Sequence, residues 1–172
     1  MSKRFMLSAA GVSAAAIGGA ASAAIVQFHY DAFPGEASWQ IADSDGNIVA
    51  QNSAVTSSSF FTSATGSAFV SSGIFSLYDP ANVTSYGYLN LVNLDLAAGD
   101  YTITMFDVYS DGWNDTIYGG FQDGSDAFTY GSYVLAFTSG ASVSGTFTVV
   151  PAPGALALLG LAGLAGTRRR RA

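Results

Sequence analysis

The chain has 172 residues, no cysteine and one histidine, a length that suits one domain with its own core. Without cysteine, neither a disulfide scaffold nor a thiolate metal site is open to it. All six basic residues sit at the ends, as Lys3, Arg4, Arg168, Arg169, Arg170 and Arg171, and all twelve acidic residues lie between Asp31 and Asp126.

This separation of charge has two consequences. Nothing in the middle of the chain can neutralise phosphate, which argues against nucleic-acid binding. Lys and Arg salt bridges are also denied to the middle. Each carboxylate there must be solvated, capped by backbone N–H groups, or held by a bound cation.

In chain order, residues 1–23 read as a secretory signal peptide. Lys3 and Arg4 form a positive start, a small apolar stretch follows, and Ala21-Ser22-Ala23 supplies the small residues that signal peptidase needs, with cleavage expected after Ala23. Residues 24–150 read as one acidic β-domain. Strands are expected near 25–30, 38–42, 47–51, 59–62, 68–71, 87–96, 101–107, 127–137 and 142–149, where β-formers alternate or cluster. In the seventh of these runs, Tyr101, Ile103 and Met105 share one face and Thr102 and Thr104 the other, the pattern of a half-buried strand. Asp43-Ser44-Asp45-Gly46-Asn47 and Ala97-Ala98-Gly99-Asp100 read as turns between strands. The expected fold class is all-β: a single antiparallel β-sandwich, jelly-roll-like, with an apolar helix at each end of the chain.

Residues 151–172 read as a sorting and anchoring segment. Pro151 and Pro153 precede a short apolar stretch, which ends at the block Arg168, Arg169, Arg170 and Arg171. As a helix the apolar stretch reaches only ~20 Å, short of the ~30 Å hydrocarbon core. The arginines act as a cytoplasmic stop under the positive-inside rule, which puts the acidic middle on the far side. The tail resembles the PEP-CTERM sorting signals of Gram-negative bacteria, with Pro151-Ala152-Pro153 where that family carries Pro-Glu-Pro. The resemblance implies handling by an exosortase-type enzyme as well as signal peptidase, at least transient membrane contact through the C-terminal segment, and delivery to the cell envelope, outer surface or extracellular matrix.

Two segments carry the texture of a motif: Pro34-Gly35-Glu36-Ala37-Ser38-Trp39 and Asp107-Val108-Tyr109-Ser110-Asp111-Gly112-Trp113-Asn114-Asp115. They are similar to accessory β-domains of secreted bacterial proteins that carry an Asp-x-Tyr-Gly-Asp-Gly-Trp-Asn loop, with Ser110 and Asp115 replacing glycine here. That resemblance implies a β-sandwich module and no defined activity. Oxygen ligands gathered by a tight turn suit calcium, so Glu36, Asp107, Asp111, Asn114 and Asp115 are the candidate ligands. The spacing is not that of an EF-hand, because Tyr109 and Tyr118 occupy positions where carboxylates belong. The opposing reading is a turn in which Asp and Asn cap backbone N–H groups and Trp113 packs on the core.

His29 has no cysteine partner for zinc and no positioned nucleophile to serve as base, so a structural role is expected. No catalytic constellation stands out. The expectation is a non-enzymatic envelope or matrix protein that binds calcium and associates with exopolysaccharide. The alternatives are a carbohydrate-binding module, with Trp113 and Tyr109 as glycan contacts, and more remotely a glycan hydrolase built on paired carboxylates. Tyr86, Tyr88, Tyr130 and Tyr133 add to an aromatic content larger than a core of this size requires.

Overall fold

The computed structural model describes residues 22–52, 64–78, 86–116 and 122–150. Both expected terminal helices, Ala21, the proline pair at 151 and 153, the arginine block and the expected strand at 59–62 lie outside them. Among the described residues no helix is long and apolar enough to cross a membrane.

Among the described residues nine strands follow one another: β1 (Ser22–Tyr30), β2 (Ala37–Ala42), β3 (Ile48–Asn52), β4 (Phe69–Tyr78), β5 (Tyr86–Leu96), β6 (Gly99–Asp107), β7 (Phe128–Tyr130), β8 (Tyr133–Leu135) and β9 (Ser142–Val149). They form a five-stranded sheet in the order β4-β5-β1-β7-β8 and a four-stranded sheet in the order β3-β2-β6-β9. Every pairing is antiparallel. The all-β sandwich expected from the sequence is the fold of the protein.

Alternation along the strands builds the core. In β2 the side chains of Ala37, Trp39 and Ile41 are buried, and in β6 those of Tyr101, Ile103, Met105 and Asp107. These face Ala24, Val26, Phe28 and Tyr30 of β1 and Val92, Leu94 and Leu96 of β5, which are also buried. Rings interlock across the two layers: Phe28 of β1 stacks on Trp39 of β2 with centroids 4.3 Å apart and planes at 13°. The indole N–H of Trp39 donates to the Tyr30 hydroxyl at 3.0 Å, which satisfies the one polar group the ring brings into the core. Burial pushes the Tyr30 hydroxyl up to a pKa of about 12.

Two expected strands are corrected in extent. The run 127–137 is not one strand but a hairpin, β7 and β8, turned at Gly131, whose φ of 58° is the left-handed conformation glycine adopts without steric cost. The run 68–71 continues to Tyr78 as β4. The Asp45-Gly46 turn forms as expected between β2 and β3. Gly46 has φ 84°, and Asp43 Oδ1 accepts from the backbone N–H groups of Asp45 and Asn47 at 3.0 and 2.8 Å.

Candidate metal centre

Three chain segments meet at one end of the sandwich. The 31–36 turn leaves β1 and enters β2. The ladder pairs Ala37 with Asp107, so the start of β2 lies beside the end of β6. Just beyond, the N–H of Val108 donates to the carbonyl of Glu36 at 3.3 Å. The acidic loop after β6 is then held against the segment before β9. Trp113 N–H donates to Phe137 O at 2.9 Å, Gly140 N–H to Ser110 O at 3.0 Å, and Asp111 bridges to Gly140.

This arrangement brings carboxylates together. Glu36, Asp107 and Asp111 each place an oxygen within 4.8 Å of the other two. Two ligands on opposite sides of a calcium ion at 2.3–2.6 Å lie at most about 5 Å apart, so the spacing fits a shared ion. Asp107 is only 4% exposed and Asp115 only 1%. Asp107 Oδ1 accepts from Ser110 N–H and Asp115 Oδ1 from Gln122 N–H at 3.0 Å. The other oxygen of each, together with Asp111 Oδ1, is buried with no hydrogen-bond partner. A buried carboxylate oxygen without a donor is costly, and a cation is what such a group accepts in place of a proton.

The electrostatics agree in direction. Burial first, then the negative charges of Asp115, Asp107 and Asp111, push Asp31 up to about 7. Burial, then Asp31, Asp107 and Asp111, push Glu36 up to about 8. Burial also raises Asp107 and Asp115 above the ordinary carboxylate range. Among the described residues there is no Lys or Arg to offset this charge.

Among the expected ligands, Glu36, Asp107 and Asp111 are thus joined, and Asp115 is buried with a partnerless oxygen. Asn114 is engaged elsewhere: its Oδ1 accepts from Thr116 N–H at 3.0 Å and from Thr116 Oγ1 at 2.6 Å, and its amide nitrogen donates to Thr138 O at 3.2 Å. Asp31, which the sequence reading passed over as a ligand, is 3% exposed and is coupled to the cluster. Its signal was its place directly after the buried Tyr30, in a turn where its Oδ1 accepts from Phe33 N–H at 2.7 Å.

Trp113 as a glycan contact is corrected. The ring is 1% exposed, caged by Tyr30, Phe137 and Phe28 at 4.7, 5.9 and 6.3 Å, and its N–H donates to Phe106 O at 3.2 Å. A ring enclosed on this scale has no face left for a sugar. Tyr109 is 75% exposed. His29 Nδ1 lies 2.9 Å from both the backbone oxygen and Oδ2 of Asp126, which ties β1 to the segment entering β7.

Compared with protein-family models, with curated proteins and with solved structures, the chain matches none. The class of protein is therefore given by the fold and the site alone: an acidic β-sandwich with a carboxylate cluster at one end.

Proposed function

We propose that this is a non-enzymatic, exported protein of the cell envelope or extracellular matrix whose β-sandwich binds calcium at Glu36, Asp107 and Asp111, with Asp31 and Asp115 adding negative charge around the ion. The observation that carries the reading is the set of buried, partnerless oxygens on Asp107, Asp111 and Asp115 in a domain with no Lys or Arg. A cation supplies the positive charge that the chain itself lacks there. Delivery rests on the two ends of the sequence: the Ala21-Ser22-Ala23 cleavage motif and the Pro151-Ala152-Pro153 tail with its four arginines.

The test is a thermal melt of the full chain in EDTA and then in millimolar calcium. A ligand present at about 100 times its Kd that binds only the folded state adds ~2.7 kcal/mol, a shift of several degrees in a domain of this size. A rise in Tm that is lost in Asp111→Ala supports calcium binding; an unchanged Tm would leave the carboxylates as caps and solvated surface. Cell fractionation, with the N-terminal residue of the envelope form read by mass spectrometry, tests export separately.

A further inference from the structure

The strand order leaves β8 and β9 outermost in their sheets on the same side of the sandwich. Phe147 of β9 packs there against Tyr130 and Phe128 of β7 and Tyr133 of β8, with ring centroids 5.1, 5.4 and 6.4 Å away. The fit is close at Gly145. A Cβ at that position would overlap the Tyr133 hydroxyl and press on Leu135 at 3.1 and 3.2 Å, so the glycine lets the Tyr133 ring lie across β9. Beside these rings runs a cleft of about 470 Å³, lined by Tyr130, Tyr133 and Phe147 and by the hydroxyl-bearing Ser132, Thr146 and Thr148. It is an open surface cleft, a shape that suits an extended polymer and not an enclosed small molecule.

The lining has a chemistry unlike the rest of the domain. No residue that lines the cleft is charged, on a domain that carries twelve carboxylates; the Thr148 hydroxyl donates to Asp100 Oδ1 at 2.6 Å, which leaves Ser132 and Thr146 as the hydroxyls with no such partner among the contacts described. Tyr130 and Tyr133 are only half-buried, so each residue keeps an accessible portion after packing on Phe147. Outermost strands also direct part of their backbone N–H and C=O groups away from the sheet. Aromatic faces for C–H surfaces, and uncharged hydroxyl and backbone groups for hydroxyls, are what a sugar ring requires.

The geometry points to this edge cleft as a binding site for a neutral polysaccharide. An anionic polymer meets the field of the surrounding carboxylates here, with no Lys or Arg among the described residues to offset it. The site is remote in composition from the carboxylate cluster and does not use its ion, so binding is independent of calcium.

The experiment is affinity electrophoresis of the full chain through gels containing dextran, a soluble β-1,3-glucan, galactomannan or, as the polyanion, alginate. Retardation by at least one neutral polymer, unchanged by EDTA, is expected. Tyr130→Ala is expected to weaken it at least tenfold while Tyr130→Phe, which keeps the ring, retains it. Because Tyr130→Ala also removes packing on Phe147, Ser132→Trp serves as the second variant: it obstructs the cleft from an exposed turn position and is expected to weaken retardation as much. Passage through all neutral gels without retardation would overturn the site. So would retardation that survives Ser132→Trp, that occurs with alginate alone, or that needs calcium and disappears in Tyr109→Ala, which would move sugar binding to the acidic loop.

Discussion

The backbone N–H of Val108 donates to the carbonyl of Glu36, and this bond joins two acidic segments that lie some seventy positions apart in the chain. Beside it the β2–β6 ladder fixes Ala37 opposite Asp107. The carboxylates of Glu36 and Asp107 are therefore set by backbone register, not by attraction between side chains, which would repel one another. Charge is gathered here because the sheet places it here.

Asp107→Asn is expected to act with opposite signs in two conditions. In EDTA it removes one negative charge from a repelling cluster and leaves the bond from Ser110 N–H an acceptor, so Tm stays level or rises. In calcium it removes a ligand and cuts into the ~2.7 kcal/mol that the ion adds at about 100 times its Kd. Two melts of one variant check both halves; a fall in EDTA equal to the fall in calcium would contradict the assignment.

The pH dependence follows from Asp31 at about 7 and Glu36 at about 8. Both are raised above the ordinary carboxylate value near 4, so between roughly pH 4 and pH 8 the folded chain holds more protons than the unfolded one. Stability without calcium then falls as pH rises through that window. Melts in EDTA are expected to give a lower Tm at pH 8.5 than at pH 5.5. In calcium, which favours the ionised forms, the difference shrinks or reverses.

Ser110 has φ 68°, the left-handed region that costs a residue with a Cβ roughly 1–2 kcal/mol. Glycine takes this conformation freely but loses about 0.5–1 kcal/mol more backbone entropy on folding. Ser110→Gly is therefore expected to leave stability unchanged or raise it by about 1 kcal/mol. Urea unfolding at constant m-value checks it.

Trp39→Ala removes the ring that spans both sheets, stacked on Phe28 and bonded to the Tyr30 hydroxyl. Replacing a buried Trp in this way costs about 3–5 kcal/mol, while the Tyr30 hydroxyl keeps the Asn52 amide as a donor at 3.4 Å. Chemical denaturation is expected to show that loss, and a change below about 1 kcal/mol would mean that the two sheets are held mainly elsewhere.

Much of this fold was legible because period-2 alternation is a local property. Tyr101, Ile103 and Met105 declare one buried face wherever β6 is placed. The β7–β8 hairpin was not legible from apolar content alone: Tyr130-Gly131-Ser132-Tyr133 reads as continuous strand until the positive φ of Gly131 is known. The site divides in the same way. The loop from Asp107 to Asp115 announces its acids in sequence, whereas the approach of Glu36 and Asp31 depends on register between distant strands. Trp113 misled because the residues that cage it, Phe28, Tyr30 and Phe137, are contributed by β1 and by the stretch before β9. No local pattern says which aromatic of a loop will turn inward.

Strand β1 bears on the order of events in the export proposed above. Its first residues pair with the end of β5, Ser22 with Leu96, Ala23 with Asp95 and Ala24 with Leu94, and Ala24 is buried. The peptide bond between Ala23 and Ala24 thus belongs to a central strand of the five-stranded sheet. A peptidase must draw its substrate out as a free extended chain, and a folded sandwich withholds that stretch. On the proposed route, removal of a leader after Ala23 has to come before the barrier of folding is crossed. Under that proposal, a chain that folds first would keep its leader for as long as the sheet endures, and maturation would be a race between an enzyme and a β-ladder.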